Sequence, residues 1–189
     1  MFALQHYKTI YLNHQSKFML ETERLILKPL TYGQLIKYIQ CDNSLEKELN
    51  LNETSRTISP ELKEAFENTI LPNVADKSKN YLYSTLWTAI SKSDNKMIGD
   101  ICIIGEPNTD GEIEIGYGTY DEFQNKGYMT EIVWGIIQWT KTQPEVKSII
   151  ASTDKTNIAS SKVLEKNKFE KTGESEMLMN WKLQISKED

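Results

Sequence analysis

The chain has 189 residues, 39% of them hydrophobic and 26% charged, a balance that suits one globular core and excludes disordered and repeat proteins. Its formal charge of -5, from 22 Lys and Arg against 27 Asp and Glu, argues against a nucleic-acid binder that works by neutralising phosphates and suits a cationic ligand slightly better. Cys41 and Cys102 stand in unrelated contexts, the 2 histidines (His6 and His14) precede the patterned region, and no apolar run reaches the ~18 residues of a membrane span. A disulfide framework, a metal centre, a histidine-dependent triad and a transmembrane segment are therefore not expected, and the protein reads as cytoplasmic.

Residues 1–18 lack steady periodicity and read as an extension, leaving 19–189 as a single domain. Arg24 to Leu30 is β-rich and closed by Pro29, and Thr31 is placed to cap a helix implied by Leu35, Ile36 and Ile39. Ser59, Pro60 and Glu61 supply the cap, first-turn proline and early acid of a second helix that runs towards Ile70, where Pro72 is expected to stop it. Tyr83 to Ser91 and Met97 to Ile104 are β-branched runs joined by the polar stretch Lys92 to Lys96, a connection of hairpin length.

Glu112 to Thr119 makes a third strand, with Glu112, Glu114, Gly116 and Gly118 alternating against Ile113, Ile115 and Tyr117, so the three strands predict an antiparallel meander. From Met129 the apolar period becomes helical through Ile132, Val133, Ile136 and Ile137, and Pro144 ends it. Val146 to Ala151 reads as a strand, Asn157 to Lys166 as a helix, and Phe169 to Gly173 with Glu176 to Leu183 as two closing strands. The order β-α-α-β-β-β-α-β-α-β-β predicts an α+β fold with a mixed, mostly antiparallel sheet of about seven strands flanked by helices.

Chemistry concentrates at two helix starts. The turn Gln124-Asn125-Lys126-Gly127 opens the long helix, and unpaired N–H groups at such a start, aligned with the helix dipole, make a natural receptor for phosphate. The turn also reads as an ordinary polar loop with one glycine, and it matches neither a Walker loop nor a dinucleotide fingerprint. Asn157 and Ser160 are three apart at the start of the later helix and share a face, either as a cap with a first-turn hydroxyl or as ligand contacts.

Taken in order, Glu114-Ile115-Gly116-Tyr117, Gln124-x-x-Gly127-Tyr128, a helix, a strand, and Asn157-x-x-Ser160-x-x-Val163-Leu164-Glu165-Lys166-x-x-Phe169 resemble the GNAT acetyltransferase superfamily. With the opening Glu21-Thr22-Glu23-Arg24-Leu25, the chain is similar to the RimJ/RimL-like branch that acetylates ribosomal-protein N-termini. The resemblance covers about residues 19 to 184 and implies a GNAT fold with acetyl-CoA as acyl donor, no metal, and an amine acceptor, either a protein N-terminal α-amine or a small molecule. It implies no nucleic-acid or membrane partner, and a monomer or homodimer.

By the same resemblance, the amides of Gln124, Asn125, Lys126, Gly127, Tyr128 and Met129, with Thr130 in the same turn, hold the CoA pyrophosphate. Gly118, Thr119 and Tyr120 lend backbone groups to the pantetheine arm, and Asn157 hydrogen-bonds it. Ser160 stabilises or protonates the leaving thiolate, since the position where many relatives carry a tyrosine is Leu164. A base must deprotonate the amine before it can attack; Glu114 is the first candidate and Glu112 the reserve, against the reading of both as solvated sheet residues. Asn125 and Lys168 stand where glycine is usual, and Met129 where a small residue is, so Asn125 and Met129 are expected to loosen the cofactor grip. Trp87, Trp134, Trp139 and Trp181 are assigned to the core, with Trp87 alternatively flooring an acceptor pocket. A non-catalytic acyl-CoA sensor on the same fold is the competing function.

Overall fold

The structure, a computed structural model, describes residues 18–186. One sheet organises the chain, built from β1 (Leu20–Glu21), β2 (Leu25–Pro29), β3 (Leu86–Ser91), β4 (Lys96–Ile103), β5 (Glu112–Thr119), β6 (Ser148–Asp154), β7 (Glu170–Glu174) and β8 (Leu178–Gln184). Its eight strands lie in the order β1-β2-β3-β4-β5-β6-β8-β7. Every pairing is antiparallel except β5 with β6. The strand beyond the expected seven is β1, whose two residues are too few to show a period.

Helices cover both faces. α1 (Tyr32–Gln40), α2 (Ser44–Leu49), α3 (Pro60–Ala65) and α4 (Leu71–Ala75) lie on one side, and α5 (Tyr128–Lys141) and α6 (Ile158–Lys166) on the other. The core is accordingly double. Ile113, Ile115, Trp87 and Ala89 pack with Ile132, Val133 and Ile136 of α5, while Leu86 and Met97 pack with Leu35, Tyr38 and Phe66. Gly135 lets α5 lie close on β2: a Cβ there would stand 2.7 Å from Leu27 Cδ1. Thr31 caps α1 with a reciprocal capping box through Gln34, and Ser59 caps α3 through the Leu62 amide.

Five expectations change. The helix from Ser59 does not stop at Pro72; a π-helical turn at Phe66–Ile70 shifts the hydrogen bonding to i→i−5, as in Leu71 N–H to Phe66 O, and the helix resumes through Ala75. Proline has no N–H to donate, so the widened turn tolerates what a regular helix would not. α2 forms in a stretch too short for periodicity to mark. Phe18, placed in the extension, packs edge-on to Trp87 with ring centroids 5.7 Å apart; the rest of that extension lies outside the described residues. Trp87 does not floor an acceptor pocket: strand alternation points it at Trp139 of α5, and its indole N–H donates to the Leu82 carbonyl at 3.0 Å. Trp139 and Trp181 are likewise buried, but Trp134 is only half-buried.

Candidate functional site: two cavities that meet on one strand

The parallel pairing of β5 with β6 is brief. Glu112, Glu114 and the residue between them pair with Ser148 to Ile150, and beyond Glu114 no pairing continues. From that point one edge of β5 keeps unpaired backbone groups, a place where an extended ligand can add itself as if it were a strand. The gap is bridged by a side chain: Ser160 Oγ, from α6, donates to Tyr117 Oη at 2.9 Å, and Tyr117 donates to the Ser160 carbonyl at 3.2 Å. Burial pushes the Tyr117 phenol up to about 12, although the Ser160 hydroxyl works the other way.

A groove of about 490 Å³ runs from this bridge to the start of α5, lined by Tyr117 to Thr119, Gln124, Asn125, Gly127 to Thr130, and one face of α6 from its cap Asn157 through Ser160 and Val163 to Lys166. Gly127, at φ 76°, is the N-cap of α5 and offers no side-chain cap, so the first amides of the helix face the groove without a protein acceptor among the described residues. Asn125 also takes a left-handed backbone, φ 61°. Asparagine tolerates that region better than other non-glycine residues, which explains how it stands where glycine is usual.

The turn is fixed from the link between β1 and β2. The Arg24 guanidinium donates to the Lys126 carbonyl at 3.1 Å and to Glu131 at 2.6 Å, and it stacks 4.5 Å from the centre of the Tyr128 ring. Thr22 Oγ1 and the Arg24 amide both donate to Glu131 Oε1, at 2.6 and 2.8 Å. Burial works to raise Glu131, but these hydrogen bonds and the Arg24 charge outweigh it and hold the carboxyl below its usual range. The opening Thr22-x-Arg24 thus has a mechanical role: it ties the first strand to the turn and first helical turn that form the groove.

A second cavity, of about 660 Å³, lies on the other face of the sheet and shares Tyr117, Gly118 and Thr119 with the groove. Its wall includes Tyr38, Arg56, Asp100, Cys102 and Tyr120. Tyr38 Oη donates to Asp100 Oδ2 at 2.7 Å, while Asp100 Oδ1 is buried with no hydrogen-bond partner. Burial pushes Asp100 up to about 6, against the pull of its hydroxyl neighbours and of Arg56. The same burial and the nearby Asp100 charge raise Tyr38 and Tyr120 well above the ordinary phenol range. Arg56 pairs with the fully buried Glu46, donates to the Tyr38 carbonyl, and lies 4.6 Å over the Tyr38 ring. Cys102 is pushed up to about 11 by burial and serves as wall rather than nucleophile.

The residues expected at the site divide accordingly. Gly118, Thr119, Gln124, Asn125, Gly127, Tyr128, Met129, Thr130, Asn157 and Ser160 line the groove. Met129, although at the groove wall, has most of its side chain in the core, where it is 7% exposed. Lys126 is not part of the lining; its ammonium lies over the Phe123 ring. Tyr120 faces the second cavity, and its amide is bonded to Ile98 O of β4. Asn157 caps α6, its side chain accepting from the Ser160 amide at 3.0 Å.

Glu114 shares its face with Gly116 and Gly118 but lines neither cavity. Glu112 is committed to Lys182 at 2.6 Å, and that bond, with one from Asn108, holds its carboxyl low. Sequence reasoning missed Tyr38, Arg56, Asp100 and the bridging role of Tyr117. Asp100, a carboxylate amid the apolar run Met97 to Ile104, was the one local sign.

Among the described residues no group of three or more His, Cys, Asp or Glu could hold a metal, and no helix is long and apolar enough to cross a membrane. Residues 24–170 match the family model described as the acetyltransferase (GNAT) domain. The chain is 27% identical over 166 residues to an uncharacterized N-acetyltransferase, YjdG, of Bacillus subtilis (strain 168), covering 86% of this chain and 96% of that protein. Among solved structures it is similar to the ribosomal-protein-S5-alanine acetyltransferase of Vibrio fischeri, with a TM-score of 0.63 at 18% identity, over 89% of this chain and 97% of the other. It is also similar to spermidine N-acetyltransferase of Vibrio cholerae in complex with CoA and spermine, with a TM-score of 0.61 at 15% identity, over 88% and 98%.

Proposed function

We infer, for a chain that belongs to the GNAT acetyltransferase family and is thereby an acyltransferase, that it carries acetyl from acetyl-CoA directly onto a primary amine in the cytoplasm. The observation that carries this reading is the meeting of the two cavities at Tyr117 to Thr119. One ends in the uncapped start of α5, suited to a pyrophosphate; the other is closed by a buried carboxylate, suited to an ammonium.

In this reading the free amides of Gly127 to Thr130 grip the pyrophosphate, with Gly127 giving the backbone its close approach, while the Gln124 amide is already bonded to the Asp121 carbonyl. Pantetheine lies along the open edge of β5 beside Gly118 and Thr119, where Asn157 of α6 faces it. The thioester then reaches the shared stretch, close to the Ser160 and Tyr117 hydroxyls. These stabilise the departing thiolate and return a proton to it, so that the tyrosine missing at Leu164 is replaced by one from β5.

The acceptor is a primary amine, either a protein N-terminus, as the ribosomal-protein relatives' names suggest, or a small amine, as the spermidine enzyme's does. Thiol release from acetyl-CoA, followed with a panel of peptides and small amines, tests the reading. Amine-dependent release with an acetylated product by mass spectrometry supports it; binding of acetyl-CoA without release makes the protein an acyl-CoA sensor.

A further inference from the structure

We propose that Asp100, rather than Glu114, is the catalytic carboxylate that receives the acceptor's ammonium group and takes its proton, a proposal that rests on the acetyltransferase reading above. Asp100 is 7% exposed, lines the acceptor-side cavity, and has one oxygen anchored by Tyr38 and the other buried without a partner. A buried carboxylate oxygen with no donor is costly; the neutral Thr88 hydroxyl, itself without a partner, stands opposite Asp100 across the ladder, and a cationic N–H group entering from the cavity is the stronger donor. Its strand partner across the ladder is Gly118, one of the residues at which the two cavities join. A side chain added at Gly118 would meet nothing within 4 Å, so the space beside Asp100 is open toward that junction.

The surrounding charges favour a cation. Asp121 and Glu122 line the same cavity, and the guanidinium of Arg56, reaching in from before α3, is already ion-paired with Glu46. The other groups facing Asp100 are Tyr38 from α1, Tyr120 beyond β5, Thr88 of β3 and Cys102 of its own strand. None of these four brings a positive charge. Burial raises Asp100 to about 6, which leaves it ionised at neutral pH yet more basic than an exposed aspartate.

The ammonium donates to Oδ1 and gives up one proton there, freeing its lone pair. The nitrogen attacks the thioester carbon, forming C–N while C–S breaks. The nitrogen's surplus proton passes to the leaving sulfur beside Ser160 and Tyr117, and Asp100 returns its proton to solvent. The net products are the amide, free CoA thiol and one proton.

The test uses the full chain with acetyl-CoA and three probes: n-butylamine, spermidine and a seryl pentapeptide. Asp100→Asn is expected to keep acetyl-CoA-induced thermal stabilisation while losing about 100-fold or more in kcat at pH 7, with the deficit shrinking towards pH 10 as the amine deprotonates unaided. Glu114→Gln is expected to stay within threefold of wild type. Tyr38→Phe, which keeps the carboxylate but removes its anchor, is expected to shift the acid limb of the pH profile. Asp100→Asn turning over within threefold of wild type at pH 7, or a collapse in Glu114→Gln alone, overturns the proposal. If wild-type protein releases no thiol with any probe, the acetyltransferase reading fails, and Asp100 is judged by binding: stabilisation by the amines that Asp100→Asn abolishes supports it as the ammonium receptor, and stabilisation that survives overturns it.

Discussion

At the scale of single residues, the site is held by groups that are unfavourable where they stand. Asp100 is the clearest. Its folded pKa of about 6 lies above the ordinary 3.8, so the folded state holds its proton more tightly than the unfolded chain does. Stability from this group is therefore highest below the unfolded value and falls as pH rises through the folded one; above that the ionised, buried carboxylate costs on the order of 2–3 kcal/mol. Asp100→Asn should be more stable than wild type by about that amount at pH 8 and equal to it near pH 3, as urea unfolding at the two pH values would read. Equal stability at both would mean that Asp100 is not buried as a charge.

Lys168 carries a different cost, a left-handed backbone at φ 68° with a full side chain. Glycine is usual here by the family resemblance, and Lys168→Gly should stabilise by about 1 kcal/mol, a rise of roughly 2–4 °C in Tm by calorimetry.

At the scale of elements, the uncapped start of α5 is where the proposed function puts the cofactor grip. Gly127 has room for a Cβ, whose nearest neighbour would be Arg24 at 3.8 Å, but its φ of 76° disfavours one. Gly127→Val should raise the acetyl-CoA KM about tenfold, in line with the ~1–2 kcal/mol cost of that conformation, and move the acceptor KM less than twofold. Steady-state kinetics with each substrate varied in turn would read the split.

This half of the site was legible in the sequence because it is contiguous: the period changes from two to helical across Gln124 to Met129, and the turn chemistry sits at the change. The meander and α6 were readable for the same reason. β1 and α2 were too short to carry a period, and the helix past Pro72 survives through a π turn that no local propensity announces. The place of Met129 in the motif says nothing of which way its side chain turns, and only the fold shows it buried in the core.

At the scale of the whole molecule, the acceptor side exists only after folding. Tyr38 and Asp100 are 62 residues apart in sequence and meet because α1 crosses the face of the sheet on which β4 presents Asp100. Arg56 reaches them from a loop without pattern of its own and spends its charge on Glu46. Periodicity put Glu114 on the same face of β5 as Gly116 and Gly118, but only the register with β4 sets Asp100 opposite Gly118, one of the residues at which the two cavities join. The brief parallel pairing of β5 with β6 is the corresponding feature on the groove side, since it leaves one edge of β5 open beyond Glu114. The most direct test is amine-dependent thiol release from acetyl-CoA by wild-type and Asp100→Asn proteins at pH 7. Release with an acetylated amine is expected for wild type and a loss of about 100-fold for the variant; acetyl-CoA binding with no release by wild type would contradict the acetyltransferase reading, and equal rates for both would contradict the role of Asp100.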